Sequence, residues 1–388
     1  MSRSNDPGHY FQTTDALATT ERKAAKSKNK HGDPIKLSSK VLAAIPDPFS
    51  ENAVYVAEAV GELRRVDWES RKVTKIFDQS AAPLTCLTIC PITKTLFTGS
   101  WDKVIYAIPL DDPSSVRKLS GHSDFLKCVL ATSLKGKPIL ISGSADATII
   151  VWDIESGKQL YKLKGHNKAL ADVTLDPLSL PTESNTPGDS LALFSSSSDR
   201  EIRRWHISLE SASELSESLE KPIRAHDTSV YRIHWDSEGD LWTASADKTV
   251  KHLVRSRDWE ADTTLQHPDF VRDVVVFEDL GLVVTACRDE EVRVWEISSG
   301  KLVCTYTGHY EEVTALVAVG GRKVVSVSID GTLRQWSLER KAMLEFEEEL
   351  KKEEVSGESA ENEKKAAGSM LTAEEEAELA ELMSDDDE

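Results

Sequence analysis

SGSADATIIVWDIESGKQLYKLKGH, residues 142–166, decides the fold of this 388-residue chain. It reads as a small-residue turn, an alternating run ending in Trp152-Asp153, a turn at Ser156-Gly157-Lys158, a second run, and Gly165-His166. Alternation with period two marks half-buried antiparallel strands, and clusters of Gly, Ser and Asp mark the turns between them. Variants of the stretch recur in register. The turn Asp reappears at Asp102, Asp146, Asp199, Asp247, Asp289 and Asp330. Six residues after each stands Ile108, Trp152, Trp205, Leu253, Trp295 or Trp336. Four residues before each stands Thr98, Ser142, Ser195, Thr243, Thr285 or Ser326. A His lies upstream of five of them: His122, His166, His226, His267 and His309. The Asp102 repeat has Ala81-Ala82-Pro83 instead.

A degenerate seventh repeat precedes these six. Residues 52–59, 62–68 and 72–78 are strand-like runs, residues 41–45 would form its inner strand, and Gly61 and Trp68 stand near the turn-Asp and Trp places. A period of about 40–45 residues with Gly-His and Trp-Asp marks indicates a β-propeller of four-stranded blades. The chain resembles the WD-repeat family over about three quarters of its length. The fold expected is therefore all-β: a seven-bladed WD-repeat propeller at residues 33–338, closed by an outer strand from residues 34–38. A flexible basic arm, residues 1–32, would precede it, and an acidic, partly helical tail, residues 339–388, would follow it.

The resemblance implies a buried network in each well-formed repeat. The turn Asp accepts from the His, and the His reaches the hydroxyl, which also takes the Trp indole N–H. The sets are His122, Ser142, Asp146 and Trp152; His166, Ser195, Asp199 and Trp205; His267, Thr285, Asp289 and Trp295; and His309, Ser326, Asp330 and Trp336. Ser, His and Asp together also suggest a hydrolase triad. A constellation repeated at every turn is structural, and the chain has no Gly-x-Ser-x-Gly elbow, phosphate-binding Gly loop or HExxH helix. No catalytic residue, cofactor or metal site is expected.

In propellers of this kind the narrow top face is lined by the residue before each turn Asp and by the start of each inner strand. Carried over position by position, this selects Trp101, Phe125, Lys127, Tyr231, Phe270, Arg272 and Arg288 as partner-binding residues. Interface anchors are enriched in Trp, Tyr and Arg. Ubiquitin-ligase receptors of the family often carry Trp-Asp-x-Arg, and none of the four Trp-ended strands here has that Arg.

Charge narrows the choice of partner. The chain carries a net −19. Residues 339–388 hold 6 Lys/Arg against 19 Asp/Glu, a net of −13, whereas residues 1–40 are +4. An acidic body argues against direct nucleic-acid binding. No apolar run reaches the length of a membrane span, and the N-terminus lacks the apolar core of a secretory signal. The five cysteines, an odd number scattered in apolar runs, read as buried thiols of an intracellular protein. Two insertions, residues 176–190 and 209–221, read as loops, the second with a short acidic helix as the other option. Arg22–Lys30 is a weak nuclear-import candidate. The function expected is a non-catalytic protein–protein interaction scaffold in the nucleus or cytoplasm, monomeric within a larger complex. The alternatives are an acidic escort for a basic client such as a ribosomal protein or histone, and a ubiquitin-ligase substrate receptor.

Overall fold

Each repeat folds as one antiparallel four-stranded sheet, and seven such sheets form the propeller. The computed structural model describes residues 14–180 and 190–353. The chain divides into two compact units, Met1–Leu338 and Glu339–Glu388. Blades 1 to 6 span residues 41–77, 84–120, 126–164, 170–214, 230–266 and 271–306. Blade 7 takes three strands from residues 313–337 and its fourth from Ile35–Lys36, paired antiparallel through Ile35↔Leu333 and Lys36↔Thr332. This strand joins the two ends of the ring and leaves no open sheet edge between first and last blade. In the second unit residues 340–353 are helical. Thr372-Ala373-Glu374-Glu375, which reads as a capping box opening a second short helix, lies outside the described residues.

The core is cut into slices between neighbouring blades. Ile139, Ile141, Ile149 and Val151 of blade 3 pack on Leu191, Leu193, Trp205 and Ile207 of blade 4. Val54, Val56 and Val66 of blade 1 pack on Val317, Val325 and Val327 of blade 7 across the closure. All five cysteines are buried.

Three sequence expectations shift. In blade 1 the left-handed turn residue is Gly61, φ +86°, matching Lys103, Ala147 and Lys248, which follow the turn Asp elsewhere. Val60 therefore holds the Asp place, and Val66, paired with Val54, holds the Trp place rather than Trp68. With Leu37 and Val56 also buried, blade 1 has replaced the whole polar network by apolar groups. Removing every partner together leaves no polar group stranded. Residues 209–221 are not simply a loop: Ala212–Glu214 is the outer strand of blade 4, followed by the helix Ser216–Glu220. The basic arm contains a helix, Thr14–Lys26, that is tied down. Arg22 and Lys26 pair with Glu290 at 2.8 and 3.0 Å, Lys26 with Glu291 at 2.7 Å, and Lys23 with Glu311 at 2.7 Å. Opposite charge on the blade 6 and 7 turns explains the docking. Glu290 is only 6% exposed and needs a cation.

Candidate interaction surface

The turn networks set the rim of the ring. In blade 3 the Trp152 indole donates to Ser142 Oγ at 2.9 Å, Ser142 lies 2.8 Å from His122 Nε2, and His122 Nδ1 lies 3.2 Å from Asp146. With the proton on Nδ1 every donor finds an acceptor. Blade 4 repeats the chain at 2.7, 2.8 and 2.9 Å through Trp205, Ser195, His166 and Asp199. Blade 7 does so at 2.8, 2.7 and 2.9 Å through Trp336, Ser326, His309 and Asp330. Blade 5 lacks the indole but keeps His226–Asp247 and His226–Thr243 at 2.8 and 2.7 Å.

Blade 6 departs from the expected set. Trp295 and His267 both reach Thr285, at 3.0 and 2.8 Å, but His267 Nδ1 meets the Leu265 carbonyl at 3.2 Å instead of Asp289. Asp289 takes Arg293, at 2.6 and 3.1 Å. The residue after the His supplies the reason. Its N–H donates to the Asp from Ser123, Asn167, Asp227 and Tyr310 at 2.9–3.3 Å. In blade 6 that residue is Pro268, which has no N–H. Blade 2 also improvises: Ser80 occupies the His place, 3.2 Å from Ser100, and Tyr106 donates to Asp102.

Electrostatics follow this wiring. Burial pushes Asp146 up, but hydrogen bonds from Thr148 and Ser123 and the adjoining His122 outweigh it and hold the carboxyl well below its usual range. Asp199 and Asp247 are lowered in the same way by His166 and His226. Burial, reinforced by Arg293, brings His267 down to about 4. The Ser142, Ser195 and Ser326 hydroxyls are fully buried, so no substrate carbonyl can approach them.

The same turns align the rim. The residue before each turn Asp donates its N–H to the residue just ahead of the inner strand: Trp101 to Pro83, Ala145 to Phe125, Ser198 to Ala169, Ala246 to Ser229, Arg288 to Phe270 and Ile329 to Glu312. This repeated bond puts Trp101, Phe125, Phe270 and Arg288 on one face. The next feature is a β-bulge near the start of every inner strand, where the ladder skips one residue. The skipped residues include Lys127, Tyr231 and Arg272. A bulge re-aims the unpaired side chain. These three line the central channel, about 460 Å³, which residues of all seven inner strands enclose.

The seven candidates fall into two groups. Trp101, 54% exposed, lies 5.8 Å from the half-buried Phe125 ring, and Lys127 Nζ sits 5.0 Å from that ring on its other contact. Across the channel Arg272 lies 4.4 Å over Tyr231, and Arg288 lies 5.1 Å over Phe270. Arg272 also pairs with Glu312. Sequence reasoning missed the channel wall beneath. Arg232 lies between Asp172 and Asp273, at 3.5 and 3.1 Å. Asp172 also accepts from Ile233 N at 3.2 Å, and Asp273 from Leu316 N at 2.8 Å, so each carboxylate bridges to the next blade. The signal was present in the repeat, since all three stand six residues after a His.

Among the described residues one His/Asp cluster has metal-ligand proximity, Asp236, Asp240 and His252. Both His252 nitrogens are already engaged, with Asp236 at 2.9 Å and Asp262 at 2.8 Å. Burial lowers the imidazole, but the two carboxylates outweigh it and raise its pKa overall. The cluster's imidazole thus has both nitrogens spent on its own carboxylates.

The description "WD domain, G-beta repeat" matches residues 113–153, 217–252 and 300–337. An uncharacterized WD repeat-containing protein of Schizosaccharomyces pombe is 34% identical, over 99% of this chain and 100% of its own length. Nuclear distribution protein PAC1 of Coccidioides posadasii is 26% identical over 66% of this chain and 57% of its own. A p21-activated protein kinase-interacting protein 1-like protein of Xenopus laevis is 23% identical over 62% of this chain and 61% of its own. The crystal structure of the WD40 β-propeller domain of Doa1 superposes with a TM-score of 0.65 at 19% identity, over 80% of this chain and 97% of that one. No described helix is long and apolar enough to cross a membrane.

Proposed function

Because the chain belongs to the WD-repeat family, we propose that it is a non-catalytic interaction scaffold of the nucleus or cytoplasm whose top face binds a segment of a partner protein. One observation carries this reading. Trp101 and Arg288 remain exposed on a rim where aromatic rings hold Lys127, Arg272 and Arg288 in place. Exposed aromatic and Arg side chains, already ordered before binding, are what an interface anchor requires. The family's general lack of catalysis and the name of the kinase-interacting relative agree with it.

The test is affinity purification of the full-length protein beside a variant with Trp101, Arg272 and Arg288 changed to Ala, and another ending at Leu338. Loss of partners from the triple variant, with retention by the truncated one, supports the top face. Loss from the truncated protein alone, confined to strongly basic proteins, replaces the scaffold reading by that of an acidic escort, for which the −13 charge of residues 339–388 is the motive.

A further inference from the structure

The charge turned toward the channel mouth is opposite to that of the protein as a whole. The chain is −19, yet the exposed charged side chains lining the channel are cations, Arg232 at 45% and Arg272 at 31%, and Arg288 on the rim is 50% exposed. The carboxylates beside them are more enclosed than the cations, although Asp172 and Asp273 also line the channel and Asp269, 3.9 Å from Arg288, is 34% exposed. Asp172 is 9% exposed, Asp273 4% and Glu312 18%. Asp172 and Asp273 spend their oxygens on backbone N–H groups of the same and the next blade. Lys127 is exposed and makes no ion pair with a described carboxylate. Desolvation inside the ring, and then the charge of Arg272, hold its pKa below the ordinary lysine value, so the two cations feel each other. Exposed Trp101 adjoins the Lys127 side of the mouth through Phe125.

We infer that the top-face partner is an acidic protein segment, whose Asp or Glu side chains enter the mouth at Lys127, Arg272 and Arg232 while an aromatic or aliphatic side chain lies on Trp101. This rests on the top-face reading above and specifies its ligand. A carboxylate between Lys127 and Arg272 relieves their mutual repulsion. The aromatic rings beneath Lys127 and Arg272 have already ordered these cations, so little side-chain freedom is lost on binding.

The probe is a fluorescein-labelled peptide, EDEEWEEDE, titrated by anisotropy with the full-length protein. KRKKWKKRK and a single-stranded oligothymidylate serve as controls. The acidic peptide should bind and the basic one should not. Lys127→Glu should weaken binding by roughly tenfold or more, Trp101→Ala should weaken it severalfold, and added salt should weaken it further. Lys127→Gln, checked with the others by thermal melting, serves if the charge reversal does not fold. Absence of binding to the acidic peptide, or equal binding by wild type and both Lys127 variants, overturns the inference. Equal affinity for the oligothymidylate also overturns it, by making the mouth a general polyanion site. If the peptide fails while the triple Ala variant still loses its cellular partners, the face works and only the partner chemistry is wrong. If the triple variant keeps them, the top-face reading itself falls.

Discussion

Changing Asp146 to Ala and Trp152 to Phe, singly and together, measures how far the turn network acts as one unit. Asp146 accepts from the Thr148 hydroxyl at 2.6 Å, Thr148 N at 3.0 Å, Ser123 N at 2.9 Å and His122 at 3.2 Å. At about 1 kcal/mol net per hydrogen bond, Asp146→Ala costs about 3–4 kcal/mol. Trp152→Phe removes one indole bond and a little packing, about 1–2 kcal/mol. The two sites are linked through His122 and Ser142, so the double variant should depart from additivity by about 1 kcal/mol or more. Blade 6 is the built-in control. Asp289 is wired to Arg293 and not to His267, so Asp289→Ala and Trp295→Phe should add to within about 0.5 kcal/mol. Urea unfolding of the six variants, followed by Trp fluorescence and circular dichroism, gives both coupling energies. Equal coupling in the two blades, or none in blade 3, would refute the claim that Pro268 breaks the relay.

Three further outcomes follow from the same geometry. Gly61→Ala should cost more than about 2 kcal/mol, because φ is +86° and the new Cβ would lie 2.2 Å from the Ser80 carbonyl oxygen; an unchanged melting temperature contradicts this. Acidification should destabilise the ring. His267 is held neutral down to about 4 against about 6.5 when unfolded, so its contribution, about 3 kcal/mol, is complete above the unfolded value and is lost as pH falls toward 4. Urea midpoints that stay level or rise between neutral pH and about pH 5 argue against it. Lys26→Glu sets a third negative charge against buried Glu290 and half-buried Glu291 and should release the arm. Hydrogen exchange of residues 19–31 should then accelerate while the blade strands stay protected, and unchanged exchange of the arm would show that the ion pairs do not hold it.

The ring was legible because each blade repeats one local problem with one local solution. A turn Asp, a His, a hydroxyl and a Trp at fixed offsets specify strand register without knowledge of distant contacts. The closing strand at Ile35–Lys36 was readable for a similar reason, since blade 7 was one strand short. Blade 1 was harder, because Leu37, Val56, Val60 and Val66 fill the network positions with no polar mark, and Trp68 drew the register two residues too far. The docked arm was not legible at all: its partners Glu290, Glu291 and Glu311 lie more than 260 residues away. The top-face positions could be counted from the sequence, but their grouping could not. That Arg272 covers Tyr231 depends on bulge geometry, and that the Asp172 and Asp273 carboxylates are only 9% and 4% exposed depends on contacts with the next blade, neither of which spacing encodes.

Whether partners use the top face is tested most directly by photo-crosslinking from matched aromatic positions. Trp101 is 54% exposed on the turn between the second and third strands of blade 2, and Phe49 is 53% exposed on the turn between the first and second strands of blade 1, which antiparallel pairing places on the opposite face. A benzoylphenylalanine at 101 should crosslink to a discrete partner in cells, and the same group at 49 should not. Crosslinks from 49 with none from 101 would contradict the account and move the working surface to the other face of the ring.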